Sequence, residues 1–128
     1  MIRKNKTVLG IAGALCLFAA GILVGANKFN QPHTLIHVVT IRWNDNTTDA
    51  QKQAVYDGVK KMAGEIPGIR SVWTKPIKVQ GEGFSGAFVI EFDSKEALDA
   101  YANTPAHADW AKIYGPVHER STTHDITN

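Results

Sequence analysis

The sequence is poor in cysteine and carries no large excess of charge of either sign. Its 128 residues include one cysteine, and 14 Lys and Arg are nearly balanced by 12 Asp and Glu. Because Cys16 lies in an uncharged N-terminal stretch, the rest of the chain can form no disulfide and no cysteine metal site. A nearly neutral chain without a basic run also lacks the electrostatic footprint of a nucleic-acid-binding protein. We therefore expect a domain that is stabilised by packing and has no nucleic acid partner.

Two patterns that often accompany cofactors lack the surroundings that would support them. The segment Gly81-Glu-Gly-Phe-Ser-Gly86 matches a dinucleotide-binding motif in its letters, but it leads into a predicted strand rather than a helix N-terminus. The five histidines form no HxH or HExxH motif that would direct two imidazoles at one ion. The sequence therefore predicts neither a bound cofactor nor a metal.

The N-terminal residues are typical of an export segment rather than of a folded domain. Arg3, Lys4 and Lys6 form a basic start, and the stretch 7–26 that follows is apolar and has no charged residue. Such a stretch is long enough either to direct export and be removed or to stay in a bilayer.

This pattern divides the chain into three parts. A signal peptide or N-terminal membrane anchor is predicted over 1–26, a linker over 27–33, and one domain over 34–128. The domain is then expected to be exported, so that it is periplasmic, secreted, or anchored to the membrane outside the cytoplasm. Contact with a membrane is expected only through the N-terminal segment, if that segment is not cleaved.

Hydrophobic periodicity predicts a single α+β domain. Alternating or β-branched apolar runs indicate strands, and apolar residues at spacings of three and four indicate helices. Pro76 falls inside the second predicted strand and indicates an edge position or a bulge. In chain order the elements are strand 34–43, helix 49–65, strand 69–79, strand 85–92, a helix ending at Tyr101, a second helix beginning at Pro105, and strand 118–126. This βαββαβ order is the ferredoxin-like arrangement.

The first and third predicted strands have apolar residues on both faces, which predicts a partner for the sheet. In the first strand His37 and Val39 share one face, whereas Ile36 and Val38 share the other. Helices can cover only one face of a four-stranded antiparallel sheet, so the second face needs another cover. A second copy of the chain is the simplest one. We therefore expect a homodimeric α/β barrel whose sheets enclose a small interior, into which His37 could point.

Tyr101 and His107 stand on either side of the predicted helix break. Proline cannot continue a helix, so Thr104 is expected to cap a new helix that starts at Pro105. His107 then lies in the first turn, where unpaired N–H groups and the helix dipole disfavour a positive charge. A neutral imidazole can act as a general base, and the Tyr101 hydroxyl can donate to a developing oxyanion. The structural alternative is that Tyr101 packs in the core, because it follows Leu98 by three residues.

His37 lies among apolar strand residues, where burial of its ring nitrogens demands hydrogen-bond partners. Asp125 in the last strand is a candidate partner, because a carboxylate can fix the tautomer and the orientation of an imidazole. The sequence leaves open which histidine Asp125 contacts. It also leaves open whether His37 contacts a ligand or only completes the core.

Segments spread along the domain together resemble the stress-responsive α/β-barrel (Dabb) family. The resemblance extends over nearly the whole domain, and the Tyr-x3-Pro-x-His pattern is its most specific element. The segments are His37-Val-Val, Glu65-Ile-Pro-Gly68, Phe88-Val-Ile-Glu-Phe92, Tyr101 with Pro105-Ala-His107, and Asp125.

The resemblance implies ferredoxin-like protomers whose sheets pair into a dimeric barrel. One plant member of the family closes a polyketide ring by an aldol reaction, and its tyrosine and histidine correspond to Tyr101 and His107. A second histidine and an acidic residue of that enzyme correspond to His37 and Asp125. Thr104 stands where that enzyme has a further histidine, so the resemblance does not imply the substrate.

The leading hypothesis is an exported homodimer that holds a small, largely apolar molecule. In this hypothesis His107 and Tyr101 are catalytic in cofactor-free acid/base chemistry of a cyclase-like or lyase-like kind, and His37 and Asp125 bind the ligand. The first alternative is a non-catalytic dimer with a stress-related binding role or a structural role. The second is a haem-dependent or oxidative monooxygenase function, as known among other ferredoxin-like dimers.

Overall fold

The computed structural model describes residues 30–128. The predicted signal peptide or anchor over 1–26 and the first part of the predicted linker lie outside the described residues. The described part of that linker, 30–33, contains neither helix nor strand. Within the described range, no helix combines the length and the apolarity needed to span a membrane.

The described chain forms strands and helices in the predicted order. Its elements are β1 (Leu35–Trp43), α1 (Asp49–Glu65), β2 (Ile69–Trp73), β3 (Gly86–Phe92), α2 (Lys95–Tyr101), α3 (Pro105–Tyr114) and β4 (His118–Ile126). A single 3₁₀ turn, Gly115–Val117, joins α3 to β4. Neighbouring strands pair antiparallel in the spatial order β2-β3-β1-β4. The predicted α+β ferredoxin-like βαββαβ fold is therefore confirmed.

β2 is shorter than predicted, because the chain leaves the sheet after Trp73. β2 is an edge strand, and Pro76 has no N–H with which to continue its ladder. Beyond the strand, Ile77 is fully exposed, so this side chain does not hold the segment against the sheet. The predicted strand 69–79 is therefore corrected to Ile69–Trp73.

The core lies between the sheet and the helices. Every second residue from His37 to Trp43 in β1 is buried on this face, and β3 shows the same alternation. The indole N–H of Trp110 in α3 donates to the backbone C=O of Val55 in α1 at 3.1 Å, which ties the two helices together. The buried apolar residues are Val39, Ile41, Trp43, Val55, Val59, Met62, Ile66, Phe88, Ile90, Phe92, Tyr101, Trp110 and Val117.

The opposite face of the sheet carries apolar residues that no helix of the described chain covers. Ile36 and Val38 of β1 and Val89 of β3 point to this side and are only partly buried. Trp73 and Ile126, at the two edges of the sheet, are 53% and 56% exposed. This open face has the apolar character that the sequence predicts for a sheet that pairs with a second sheet.

His37 does not point toward the open face, contrary to one expectation from the sequence. Alternate residues of a strand point to opposite faces, and His37 shares its face with Val39 and Ile41 beneath the helices. The expected position of His37 in an interior between two sheets is therefore wrong. Its ring contacts Phe92 and Tyr101 on this side and hydrogen-bonds to Asp125 of β4.

Gly58 of α1 permits the close approach of α3. A Cβ at this position would lie 2.8 Å from Cδ1 of Trp110, whereas a Cβ at Gly64 would meet no atom within 4 Å. We expect Gly58→Ala to lower the free energy of unfolding by about 1–3 kcal/mol, because the anchored indole cannot move away. Gly64→Ala, the matched control in the same helix, should raise it by up to about 1 kcal/mol. Chemical denaturation measures both, and equal effects would contradict the packing.

Candidate functional site

The break between α2 and α3 holds Tyr101 and His107 side by side. Pro105 is the first residue of α3. The Thr104 hydroxyl donates to the backbone C=O of Tyr101 at 2.7 Å and accepts from the backbone N–H of His107 at 3.2 Å. The two rings meet edge to face with their centroids 5.0 Å apart. The predicted helix break is therefore confirmed, and it brings the two predicted catalytic side chains together.

His37 connects the other predicted site residues. It pairs with Asp125 across the β1–β4 ladder, and its Nδ1 lies 2.6 Å from Oδ1 of that side chain. Its Nε2 lies 2.9 Å from the hydroxyl oxygen of Tyr101. An ionised carboxylate only accepts hydrogen bonds, so Nδ1 of His37 carries the hydrogen toward Asp125. Asp125, His37 and Tyr101 thus form one hydrogen-bond chain, which runs from the half-exposed carboxylate to the buried tyrosine.

A cavity of about 230 Å³ opens beside this hydrogen-bond chain, between the sheet and α3. His37, Tyr101 and His107 form one polar end of it, and Val39 and Phe88 line its sheet side. Its size and its mixture of apolar walls with a few polar groups suit a small organic molecule. The lining is completed by Trp110, Ala111, Tyr114, Ser121 and Thr123.

Burial moves the proton affinities of Tyr101 and His107 away from their ordinary values. Burial first, and the charge of Asp125 second, raise the pKa of Tyr101 to about 12, so this side chain keeps its proton at neutral pH. Burial first, and the charge of protonated His37 second, lower the pKa of His107 below its ordinary value of 6.5. The neutral imidazole expected from the sequence is thus favoured, with burial and a second imidazole as its causes.

The ring of His107 is available to a bound molecule. None of the residues that the structure describes hydrogen-bonds to either of its ring nitrogens, and the ring instead contacts those of Tyr101 and Trp110. Between residues 30 and 128, no three His, Cys, Asp or Glu side chains are grouped so as to hold a metal ion. The polar end of the cavity thus combines the His107 imidazole with the Tyr101 hydroxyl, which also hydrogen-bonds to His37.

Tyr101 packs in the core, as the structural alternative predicts, and its hydroxyl also takes part in a hydrogen bond. It is 9% exposed and its ring lies 5.0 Å from that of Phe92, so it packs in the core. Its hydroxyl also bonds to His37, which precedes it by 64 residues. Sequence reasoning missed this bond, because no local pattern connects two residues so far apart.

Sequence reasoning also missed three residues that line the cavity, although the sequence carries a signal for them. They are Tyr114, Ser121 and Thr123. Tyr114 follows His107 at the i+7 position, which places both side chains on one side of α3. Ser121 and Thr123 alternate with Asp125 along β4 and therefore share its face of the sheet.

Comparison with known proteins agrees with the fold. The sequence profile of the stress responsive A/B barrel domain (Dabb) matches residues 35–128. Olivetolic acid cyclase from Cannabis sativa is 27% identical over 94 residues, which cover 71% of this chain and 93% of that protein.

Solved structures share the same architecture. A dimeric ferredoxin-like protein of unknown function from Thermobifida fusca is 20% identical, with a TM-score of 0.65 over 79% of this chain and 96% of that one. The hydroxynitrile lyase of Passiflora edulis is 18% identical, with a TM-score of 0.63 over 76% of this chain and 94% of that one. The family match extends from β1 through β4. The chain therefore belongs to the stress responsive A/B barrel domain (Dabb) family.

Proposed function

We propose that this domain binds a small, largely apolar molecule in the cavity and carries out cofactor-free acid/base chemistry on it. One observation carries the proposal, namely that the two imidazoles beside Tyr101 have unlike surroundings. His37 has the Asp125 carboxylate at 2.6 Å, whereas no described carboxylate pairs with His107, which lies where burial disfavours its charged form. The carboxylate holds the Nδ1–H of His37, and burial favours the neutral form of His107, so His107 is the imidazole that suits the role of a base.

His107 is the general base in this proposal. A ring nitrogen removes a proton from a carbon next to a carbonyl, so that the C–H bond breaks, an N–H bond forms, and the electron pair moves onto the carbonyl oxygen. Tyr101, whose pKa is about 12, keeps its proton and donates a hydrogen bond to that oxygen as it becomes negative. The carbanion then takes the proton back, or it attacks a second carbonyl whose new alkoxide takes the proton.

The hydrogen-bond chain behind Tyr101 determines where its O–H points. When the His37 ring carries hydrogens on both nitrogens, Nδ1 donates to Asp125 and Nε2 donates to the Tyr101 oxygen. The Tyr101 O–H is then free to donate into the cavity. A proton on His37 also lowers the pKa of His107, after the larger effect of burial.

Two similar proteins support chemistry, since the names of olivetolic acid cyclase and of the hydroxynitrile lyase state an activity. A non-catalytic stress-related binding or structural dimer is the second candidate, and the packing of Tyr101 against Phe92 favours it. The two candidates differ in what His107 contributes to stability. A group kept for catalysis commonly costs stability, whereas a structural imidazole adds to it.

We also propose that two chains pair through the open face of the sheet. Val38 lies within this face, between Val89 of β3 and His124 of β4. Pairing would remove the apolar surface from water, and the dimeric relative from Thermobifida fusca supports it. Because the cavity lies on the helix side of the sheet, a change to the open face should leave the chemistry in place.

Export is the third part of the proposal. It rests on the basic start of the sequence and the uncharged stretch 7–26, which are typical of a secretory leader or an anchor. A domain behind such a leader works in the periplasm, in the medium, or at the outer side of a membrane.

The base and donor roles predict which variants lose carbon-acid chemistry. In D₂O, the protons on the central carbon of an apolar β-diketone should be replaced by deuterium faster when the protein is present than in buffer alone. Proton NMR follows this exchange. His107→Ala should lower the added rate by about 10²- to 10⁴-fold, and Tyr101→Phe by about 10²- to 10³-fold. The exposed His33 provides the matched control, and His33→Ala should retain the rate.

The outcome for His107→Ala separates the two candidate functions. Loss of exchange with unchanged or higher thermal stability supports catalysis. Full exchange together with a clear loss of stability would reject the catalytic role in favour of the structural one.

The pH dependence of exchange follows from the lowered pKa of His107. Protonation removes the base, so kcat/KM should fall as the pH is lowered, with a midpoint below 6.5. His37→Gln removes the smaller cause of the shift and should raise the midpoint part of the way to 6.5, because burial remains. A wild-type midpoint at or above 6.5 would contradict the assignment of His107 as the base.

Native mass spectrometry of protein purified from its own host tests pairing and export together. We expect a species that contains two chains. Each chain should either lack the leader, or retain it and need detergent for release from the membrane. Val38→Glu places a charge in the open face and should give single chains, whereas Ala54→Glu on the exposed side of α1 is the control and should still pair. Single wild-type chains would contradict pairing. Soluble chains that retain the leader would contradict export.

A further inference from the structure

The walls of the cavity belong to the core of the domain. Val39 of β1, Phe88 of β3 and Trp110 of α3 line it, and all three are buried. His37 and Tyr101, at its polar end, are buried as well. Because core side chains are closely packed, these walls limit the size of a molecule that the cavity can hold.

Apolar side chains follow directly on the polar end of the cavity. Val39 comes after His37 on the same face of β1, and Ala111 comes one turn after His107 on the same side of α3. A carbonyl group placed at Tyr101 and His107 therefore has apolar walls on both sides of the chain that continues from it.

The side chains along β4 add little to the recognition of a ligand inside the cavity. Burial raises the pKa of Tyr114, and hydrogen bonding to Ser121 lowers it by a smaller amount, so these two lining hydroxyls serve each other. Thr123 is exposed to solvent. The deeper part of the cavity therefore offers a ligand mainly apolar contacts.

The described residues that line the cavity include no lysine, arginine or carboxylate side chain. A permanently charged ligand group that is buried among Val39, Phe88 and Trp110 would lose its water without gaining an ion pair. The lining therefore favours a neutral ligand.

The volume of the cavity indicates how large that ligand is. An apolar protein cavity of about 150 Å³ holds benzene, which has six carbon atoms. By the same ratio, the cavity of about 230 Å³ holds about nine non-hydrogen atoms. Ala111 has the smallest side chain of the lining residues, so a larger residue at this position would take up part of that space.

We propose that the cavity selects neutral carbonyl compounds of about nine non-hydrogen atoms, and that the small side chain of Ala111 sets this limit. The carbonyl lies at Tyr101 and His107, and the rest of the molecule is apolar. This inference rests on the proposed function, since it takes the cavity as the ligand site. Ala111 is a specificity-determining residue, because its methyl group touches the apolar part of the ligand.

A series of straight-chain methyl ketones, from butan-2-one to dodecan-2-one, tests the size limit. NMR titration gives the Kd of each ketone. We expect affinity to rise about fourfold with each added CH₂ up to about octan-2-one, because each buried CH₂ leaves water. Beyond this break each CH₂ should add less than about twofold. Octanoate, which carries a permanent charge, should bind at least about tenfold more weakly than octan-2-one.

Ala111→Leu adds three carbon atoms to the wall and should move the break about three carbons earlier in the series. Ala108→Leu makes the same change on the exposed side of α3 and is the matched control, which should keep the wild-type break. A purely structural role of Ala111 would instead weaken all ketones by one factor and leave the break in place. Val39→Ala should move the break about two carbons later, and it gives a second test if Ala111→Leu does not fold.

The design separates this inference from the proposed chemistry. His107→Ala should lose proton exchange but keep the break. Affinity that rises fourfold per CH₂ through dodecan-2-one, a break that neither Ala111→Leu nor Val39→Ala moves, or equal binding of octanoate would overturn the selection and leave the base intact. A break that both variants move, in a protein without exchange, would uphold the selection and reject the chemistry.

Discussion

The hydrogen bonds of His37 to Asp125 and to Tyr101 are the constraint on which the site depends. They connect β4, β1 and the end of α2 at a buried point, and loss of either partner would leave an imidazole nitrogen unsatisfied at a cost of about 1–3 kcal/mol. The Thr104 cap then fixes His107 relative to Tyr101. The positions of His37, Tyr101 and His107 are therefore set by the core and by one helix cap.

The cavity beside this hydrogen-bond chain and the open face of the sheet are two separate parts of the structure. The cavity lies between the sheet and α3, whereas the open face with Val38 and Val89 lies on the other side of the same strands. Apolar residues on both faces of β1 therefore pack against the helices on one side and form the open face on the other. The cavity and the open face therefore share the strands of one sheet but lie on its opposite sides.

Local rules predict much of this fold. Thr104 with Pro105 marks the helix break, and the strand and helix periods predict the order of the elements. Pro76 signals the end of β2, but only the sheet shows how early the strand stops. Alternation shows that His37 and Val39 share a face, yet it does not tell which face meets the helices, because β1 is apolar on both. The His37 bond to Tyr101 depends on tertiary packing alone.

The division of labour between the two imidazoles is the central claim, and nitrogen-15 NMR of the histidine rings tests it most directly. At pH 6.5, the ordinary pKa of histidine, the account predicts that His107 is mainly neutral, with one bare ring nitrogen. It also predicts a hydrogen on Nδ1 of His37, shifted by its bond to Asp125. A mainly protonated His107 at that pH, or a bare Nδ1 on His37, would contradict the account.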